Sequence, residues 1–149
     1  MTAVLILHGP NLNLLGTRET DVYGSKTLDE INVELKEMGE KAGLEVRCVQ
    51  SNHEGTLIDV LQEARTWAAG VVFNPGGYTH TSVALRDAIA AIGLPVVEVH
   101  MSNVYAREEF RHHSMVSPVC RGKVVGFGWR SYVLGLQGLL ELLNEGQSG

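Results

Sequence analysis

Hydrophobic and polar positions divide the chain into two kinds of alternating segment. Five short runs rich in β-branched and other apolar residues are separated by intervals too long for hairpins. Between them, apolar residues recur three and four positions apart, which is typical of helices that cover one side of a core. The pattern predicts helices between five strands, which are Ala3 to His8, Leu44 to Gln50, Gly70 to Asn74, Pro95 to His100 and Lys123 to Gly128.

Four segments have helical spacing. The first starts at Thr27, with Glu30 three residues later as in a capping box, and closes at Gly43. The second, TLIDVLQEARTWAAG, carries an apolar stripe made of Leu57, Ile58, Leu61, Ala64 and Ala68. The third, TSVALRDAIAAIG, ends at Gly93 and carries a stripe made of Leu85, Ala88, Ile89 and Ile92. The fourth, SYVLGLQGLLELLNE, keeps a helical period despite its two glycines.

Strands that alternate with helices predict parallel pairing through right-handed crossovers, with helices on both faces of the sheet. The nearly continuous apolar strands agree, because a sheet covered on both sides has no polar face. We therefore expect one α/β domain over residues 1–149, a flavodoxin-like three-layer sandwich with a five-stranded parallel sheet. Ligands of such sheets bind beyond the carboxyl ends of the strands. Polar segments follow four of the five strands there, namely HGPNLN, SNHEG, NPGGYTHTS and HMSN.

Composition narrows the range of partners. With 12 basic and 17 acidic residues the net charge is −5, which disfavours a nucleic acid or an anionic membrane but allows a local basic pocket for a small anion. The first residues, MTAVLILHGP, lack a basic start, and their apolar run is too short for a signal peptide or a membrane span. Cys48 and Cys120 stand outside any CxxC spacing and are expected to be reduced thiols. These features predict a soluble cytoplasmic domain.

Familiar nucleotide and metal motifs are missing from the sequence. The turn HGPNLNLLG contains neither a GxGxxG sequence nor a P-loop, and Asn11 and Asn13 are common turn formers, so a simple turn is its first interpretation. No pair of histidines has the i, i+4 spacing on a helix that a zinc hydrolase uses. We therefore expect no metal at the site.

Two acidic residues are informative because of the direction in which they point. Glu98 and His100 are two residues apart on a strand, so their side chains share one face of the sheet. We expect Glu98 and His100 to face the ligand edge and not the core. Asp87 falls nearly opposite the apolar stripe of its helix, so it is either solvated or reaches a neighbouring subunit.

The polar segment TRETDVYGS, Thr17 to Ser25, precedes the first long helix and is too polar to pack. It is either a mobile lid, at about residues 17–26, or a plain surface loop. Arg18 lies five residues before Tyr23, and a nearby guanidinium favours a phenolate over a phenol. His80, in NPGGYTHTS, is either another polar loop residue or part of an anion site at a helix start.

These pieces, in this order, resemble the type II 3-dehydroquinate dehydratases. The resemblance extends from LILHGPNLNLLGTRE through VYG, QSNHEG, NPGGYTHTSVALRDAI and PVVEVHMSNVYAREEFRHHS to GFG, which is nearly the whole chain. It implies a flavodoxin-like subunit in a dodecamer of four trimers. It also implies removal of water from 3-dehydroquinate to give 3-dehydroshikimate through an enolate, without a metal or an organic cofactor.

Carried over residue by residue, the resemblance implies that Tyr23 takes a proton from C2, next to the ketone, while Arg18 stabilises its phenolate. Asn11 would hold a water against the enolate oxygen. His100 would be the general acid that protonates the departing C1 hydroxyl, and Glu98 would orient it.

The resemblance implies a second set of residues that bind the substrate: Asn74, His80, Asp87, Met101, Ser102 and Arg111. His80 and Arg111 would hold ring hydroxyls, and Asp87 would reach the site across a subunit boundary, in agreement with its outward direction. Ser102 and the backbone amides at positions 101 and 102 would clamp the substrate carboxylate.

Three alternatives remain open at the level of the sequence. A flavodoxin-like module that binds a nucleotide or a flavin would use the same edge of the sheet, although HGPNLNLLG lacks a phosphate loop. A catalytically inactive relative kept for assembly would not need Tyr23, Arg18, His100 and Asn11 together. The same reaction serves the shikimate pathway of aromatic amino-acid biosynthesis and the breakdown of quinate.

Overall fold

All five predicted strands form, and they pair in one parallel sheet in the order β2-β1-β3-β4-β5. The structure is a computed structural model that describes residues 1–148. The strands are β1 (Thr2–His8), β2 (Leu44–Gln50), β3 (Gly70–Asn74), β4 (Val96–His100) and β5 (Gly122–Val125). This strand order is that of the flavodoxin-like doubly wound sheets. The predicted α/β fold is therefore confirmed.

Five α-helices connect or follow the strands: α1 (Thr20–Tyr23), α2 (Leu28–Lys41), α3 (Glu54–Ala64), α4 (Val83–Ile92) and α5 (Arg130–Ser148). Short 3-10 helices occupy the loops at Leu12–Leu14, Gly76–His80, Val104–Ala106, Glu109–His112 and Ser117–Val119. Within residues 1–148, none of the helices is both long and apolar enough to cross a membrane.

The strands alternate their side chains between two halves of the core. Val4 and Ile6 of β1 lie in a cluster with residues of α2 and α5, whereas Leu5 and Leu7 pack with α3 and α4. All four side chains are fully buried. Since parallel strands covered on both faces must be apolar throughout, the continuous runs in the sequence are explained.

The capping box predicted at the start of α2 is formed. The side chain of Thr27 accepts from the backbone N–H of Glu30 at 3.2 Å, while the Glu30 carboxylate accepts from the backbone N–H of Thr27 at 3.1 Å, a complete capping box. At the start of α4, the side chain of Ser82 accepts from the backbone N–H of Leu85 at 2.9 Å, which is a single cap and not a capping box. These caps fix the points at which two helices leave the carboxyl edge of the sheet.

Two predicted boundaries are wrong. Helix α3 ends at Ala64, so Ala68 lies beyond the helix whose stripe it was expected to extend. Strand β5 ends at Val125 and not at Gly128, because Gly126 and Gly128 have φ angles of +95° and +60°, outside the extended region.

Candidate active site

The carboxyl edge of the sheet carries a cleft of about 170 Å³. That volume lies below the range of about 300–1,000 Å³ typical of drug-sized ligands, so the cleft suits a small molecule. It opens beside β1 and β3, whose last residues His8 and Asn74 are paired, where the strand order changes direction. The lining consists of Pro10, Asn11, Leu12, Arg18, Tyr23, Asn74, Gly76, Gly77, His80, His100, Met101, Ser102, Val104, Arg107 and Arg111.

Most of the site residues expected from the sequence line this one cleft. They come from five separate segments of the chain and are Asn11, Arg18, Tyr23, Asn74, His80, His100, Met101, Ser102 and Arg111. Two of the expected residues do not line it. Glu98 lies behind His100, and Asp87 lies on the exposed side of α4.

The expectation that Glu98 faces the ligand edge is wrong. Its side chain is fully buried and hydrogen-bonds to His100 Nε2, with 2.5 Å between that nitrogen and Glu98 Oε2. His100 is two residues further along, at the end of the strand, and its side chain reaches the cleft. The shared face was predicted from the period of the strand, but a period does not tell how deep each residue lies.

Glu98 is a buried carboxylate surrounded by donors. Besides His100, the hydroxyls of Thr79, Ser114 and Ser117 donate to its two oxygens. Burial by itself would raise the pKa of Glu98, but the hydrogen bond from His100, the charge of His100 and the hydroxyls of Ser117 and Thr79 together lower it to about 2. Glu98 is therefore ionised at neutral pH, and its negative charge lies directly against the imidazole of His100.

Tyr23 places its hydroxyl at the cleft with a cation beside it. Arg107 Nη1 donates to the Tyr23 hydroxyl oxygen at 2.8 Å, and Arg18 lies over the Tyr23 ring, 5.4 Å from its centroid. Arg18 also pairs with Glu19 at 2.8 Å. The cation at the hydroxyl is therefore Arg107, a residue that the sequence interpretation did not select.

Nothing in the sequence alone singles out Arg107. It follows the end of β4 in AREEF, close to Arg111, and both are basic residues in the same polar segment. The side chain of Arg107 is only 16% exposed, whereas that of Arg111 is 25% exposed and pairs with Glu108 at 3.0 Å. A basic residue after the carboxyl end of a strand was the available signal, but it did not distinguish the two.

The segment expected to be a lid is less open than its polarity indicated. Residues Thr20–Tyr23 form one helical turn, and the half-buried Tyr23 packs against the α2 and α5 half of the core. The prediction that this segment is too polar to pack is therefore wrong at Tyr23, because its ring supplies enough apolar surface. Glu19, before the turn, has a φ of 43°, and Gly24, after it, has a φ of 81°.

The loop after β1 holds Asn11 in a conformation that few residues adopt. Asn11 has a φ of 70°, in the left-handed region that asparagine tolerates better than most residues. Its backbone N–H donates to Asn52 Oδ1 at 2.9 Å, and Gln50 Nε2 donates to the Gly9 carbonyl at 3.1 Å. The end of β2 thus fixes the loop and leaves the exposed Asn11 side chain at the cleft.

A hydrogen bond to a backbone carbonyl fixes the tautomer of His80 in its uncharged form. Burial lowers its pKa, although the hydrogen bond to the His113 carbonyl opposes that effect. Because a carbonyl only accepts, His80 Nδ1 carries the hydrogen at this 2.7 Å contact. Nε2 is then an acceptor, which suits the hydroxyl of a ligand.

The cleft is cationic although the protein as a whole is acidic. Arg18, Arg107 and Arg111 all line it, while the net charge of the chain is −5. A small molecule with a carboxylate and hydroxyl groups matches this lining. Among residues 1–148, no three His, Cys, Asp or Glu side chains are grouped so that they could hold a metal ion.

Fold and cleft together define a flavodoxin-like α/β protein with a cationic site for a small hydroxylated anion. Comparison with known proteins identifies the family. The family model described as Dehydroquinase class II matches residues 2–140. The chain is 54% identical to a 3-dehydroquinate dehydratase of Desulforudis audaxviator over 97% of its length and 96% of that protein. With one of Nostoc sp. it shares 60% identity, covering 93% of this chain and 94% of the relative.

The fold comparison agrees with these sequences. A crystal structure of a type II dehydroquinase from Butyrivibrio crossotus superposes with a TM-score of 0.91 at 45% identity, over 93% of this chain and 97% of that one. The chain belongs to the class II dehydroquinase family.

Proposed function

We propose that this protein is a dehydratase that converts 3-dehydroquinate to 3-dehydroshikimate and water. The observation that carries the proposal is the pairing within one cleft of a tyrosine beside a guanidinium and a histidine backed by a buried carboxylate. Membership of the class II dehydroquinase family, with relatives named 3-dehydroquinate dehydratase, supports the choice of substrate.

The first step of the proposed reaction is proton abstraction by Tyr23. The Tyr23 oxygen removes a proton from C2, next to the ketone, and the electron pair of that C–H bond forms an enolate. Arg107, 2.8 Å from this oxygen, stabilises the phenolate that acts as the base, and Arg18 adds positive charge over the ring. Asn11 holds a water against the enolate oxygen, where negative charge develops.

The second step is loss of the C1 hydroxyl with the help of His100. The enolate collapses to the conjugated ketone, the C1–O bond breaks, and His100 supplies the proton that makes the leaving group water. Glu98 orients the imidazole through Nε2 and stabilises its protonated form. The proton gained by Tyr23 and the one lost by His100 are then exchanged through solvent to restore the starting state.

Binding is assigned to the remaining residues of the cleft. The substrate carboxylate is clamped by Ser102 and the backbone amides at positions 101 and 102. Ring hydroxyls are held by Asn74, His80 and Arg111, all of which line the cleft. Residues 17–26 act as a lid over a single catalytic domain, and closing it excludes water and strengthens the charges at the site.

Asp87 is assigned to the site of a neighbouring subunit. It is exposed in the single chain and lies away from the cleft, so it reaches a substrate only in an assembly. We infer a dodecamer of four trimers, working in the cytoplasm without metal or organic cofactor. The physiological role is the shikimate pathway, and quinate breakdown is the alternative that uses the same reaction.

The proposal is tested by following the enone absorbance of the product after adding 3-dehydroquinate to the purified protein. Turnover that a chelator leaves unchanged is expected, and absence of enone at any protein concentration would refute the proposed activity.

The two-step order is tested with His100→Ala in deuterated water. This variant is expected to exchange the C2 proton of the substrate without forming product, and lack of exchange would contradict the enolate step.

A further inference from the structure

A chain of buried hydrogen bonds leads from the cleft residue Asn74 to helix α2. Asn74 Nδ2 lies 3.0 Å from the Tyr132 hydroxyl, which lies 2.8 Å from His8 Nδ1. His8 Nε2 lies 2.8 Å from Asn32 Oδ1, in α2. His8 and Tyr132 are fully buried and Asn74 is 3% exposed, so water does not substitute for the contacts among these three residues. None of Tyr132, His8 and Asn32 lines the cleft.

The donor and acceptor of each hydrogen bond in this chain follow from the backbone N–H of Gly76, which lies at the Asn74 end. The backbone N–H of Gly76 donates to Asn74 Oδ1 at 3.1 Å, so Asn74 must turn its NH₂ group toward Tyr132. The Tyr132 oxygen therefore accepts, and its own hydrogen points to His8 Nδ1. His8 then carries its hydrogen on Nε2 and donates to Asn32.

The protonation of the chain agrees with this direction. Burial lowers the pKa of His8 to about 4, against the opposing effect of the hydrogen bond to Asn32, and burial raises the pKa of Tyr132. At neutral pH His8 is uncharged and keeps one lone pair, and Tyr132 keeps its hydrogen. A protonated His8 would have no lone pair for the Tyr132 hydroxyl, so a single arrangement of donors and acceptors satisfies the chain.

We propose that Tyr132, supported by His8 and Asn32, is a positioning residue that holds the NH₂ end of the Asn74 amide in place for the substrate, while the Gly76 N–H holds its oxygen. A rotation of this amide by half a turn would set its NH₂ group against the N–H of Gly76 and leave the Asn74 N–H bond to Tyr132 unmade. With the rotation blocked, the remaining N–H and oxygen lone pair of Asn74 are presented to ligand hydroxyls in fixed positions. This role rests on the proposed function of the same cleft.

The test is a double-mutant cycle on kcat/KM with Tyr132→Phe and Asn74→Ala. Because Tyr132→Phe leaves the amide held only by the Gly76 N–H, it is expected to lower kcat/KM about tenfold in the wild-type background. In the Asn74→Ala background it is expected to change kcat/KM by no more than roughly twofold, since Tyr132 acts through Asn74. Equal losses in the two backgrounds would overturn the proposal.

Ser131→Ala is the matched control. Ser131 is the neighbour of Tyr132 in α5, is fully buried, and accepts from the backbone N–H of Phe127 at 3.0 Å, away from Asn74. Its loss should leave kcat/KM within roughly twofold, since it removes a hydrogen bond at the start of α5 but none that holds the Asn74 amide. A loss equal to that of Tyr132→Phe would reduce Tyr132 to a stabilising residue and refute the proposal.

Asn32→Ala keeps the test decisive if Tyr132→Phe does not fold. Asn32 is half-buried at the outer end of the chain, so its substitution is expected to be tolerated. It should lower kcat/KM about threefold, again only when Asn74 is present, because one link of the chain is lost. No dependence on Asn74 would contradict the proposal.

A crystal structure of Tyr132→Phe separates this proposal from the proposed function. With only the Gly76 N–H left as a partner, the plane of the Asn74 amide is expected to tilt away from its wild-type position or to occupy two positions, and an amide plane that has not moved would overturn the positioning role. This result is independent of whether 3-dehydroquinate is turned over. A wild-type protein without dehydratase activity would instead count against the proposed function alone.

Discussion

At the scale of single residues, the cleft depends on two charges, each held against a group to which the proposed mechanism assigns a proton transfer. Arg107 touches the hydroxyl of Tyr23, and Glu98 touches the imidazole of His100. Both charged groups are mostly removed from water, at 16% exposure for Arg107 and 0% for Glu98, so their fields act on their partners with little screening. One is a cation against the proposed base, and the other is an anion against the proposed acid.

Tyr23→Phe should remove the proposed base and leave the cleft otherwise intact. We expect kcat to fall by about a thousandfold, within the range that general acid–base groups contribute. Substrate binding, measured by calorimetry, should persist. Tyr105→Phe is the control, because Tyr105 is 54% exposed and its loss should leave kcat unchanged. Near-normal turnover by Tyr23→Phe would remove Tyr23 from the mechanism.

Glu98→Gln should separate the two chemical steps. The neutral amide still accepts from His100 but no longer stabilises the imidazolium, so product formation is expected to fall by about a hundredfold. Exchange of the substrate C2 proton with deuterated solvent should continue, since Tyr23 and Arg107 are untouched. Parallel losses of exchange and product formation would show that Glu98 does not act through the acid.

At the scale of elements, one close approach decides how α5 covers the sheet. A Cβ added at Gly135 would lie 2.5 Å from Val99 Cγ1, whereas a Cβ at Gly138 would meet nothing within 4 Å. Gly135 therefore lets the helix backbone pack against β4, the strand that carries Glu98 and His100. The two glycines that interrupt the helical pattern in the sequence thus have different roles.

This difference gives a matched pair of substitutions. Gly135→Ala should lower the free energy of unfolding by about 1–3 kcal/mol, because Val99 or the helix must move. Gly138→Ala should raise it by up to about 1 kcal/mol, because alanine favours a helix and finds open space. Chemical denaturation of both variants measures the two values. Equal effects of the same sign would contradict the close approach of α5 to β4.

The elements also show how far a pattern can predict structure. The period of the helix TSVALRDAIAAIG gave its buried stripe and the outward direction of Asp87, because both depend only on 100° per residue. The same reasoning gave the shared face of Glu98 and His100. The strand period did not predict how deeply Glu98 is buried. Four groups surround its carboxylate, and they meet only in the folded chain; they belong to Thr79, Ser114, Ser117 and His100.

At the scale of the whole molecule, folding buries a histidine in its uncharged form, and stability must depend on pH. The pKa of His8 falls from its ordinary value of 6.5 to about 4 in the folded protein. Between these values the unfolded chain binds a proton that the folded chain excludes, so stability is complete above pH 6.5 and decreases as the pH falls toward 4. The shift amounts to about 3 kcal/mol at about 1.36 kcal/mol per unit.

Denaturation at several pH values checks this prediction. His8→Gln should lose most of the slope between pH 6.5 and 4, and a smaller slope should remain because the pKa of His80 is also lowered. The loss of stability from protonating Glu98 falls in a separate window, below about pH 4.5, since its folded pKa is about 2. A wild-type slope that His8→Gln leaves unchanged would contradict the neutral, buried His8.

Asp87 offers a test at the level of the assembly. Because it is exposed on the chain that carries it, a role in binding requires a second copy. Asp87→Ala and Tyr23→Phe should each be impaired, and subunits mixed after dissociation should regain activity where an intact Tyr23 meets an intact Asp87. The assay is kcat/KM before and after mixing. No gain on mixing, or full activity of an isolated monomer, would refute the shared site.

The sequence by itself determined the strands, the helices with their caps, and the concentration of polar residues at one edge of the sheet. These features depend on local periods and local hydrogen bonds, such as those of Thr27 with Glu30. Only the tertiary structure decided which distant groups meet. Arg107 reaches Tyr23 across 84 residues of sequence, and Tyr132 reaches His8 across 124, because packing against a shared sheet brings them together. A local pattern carries no record of such partners.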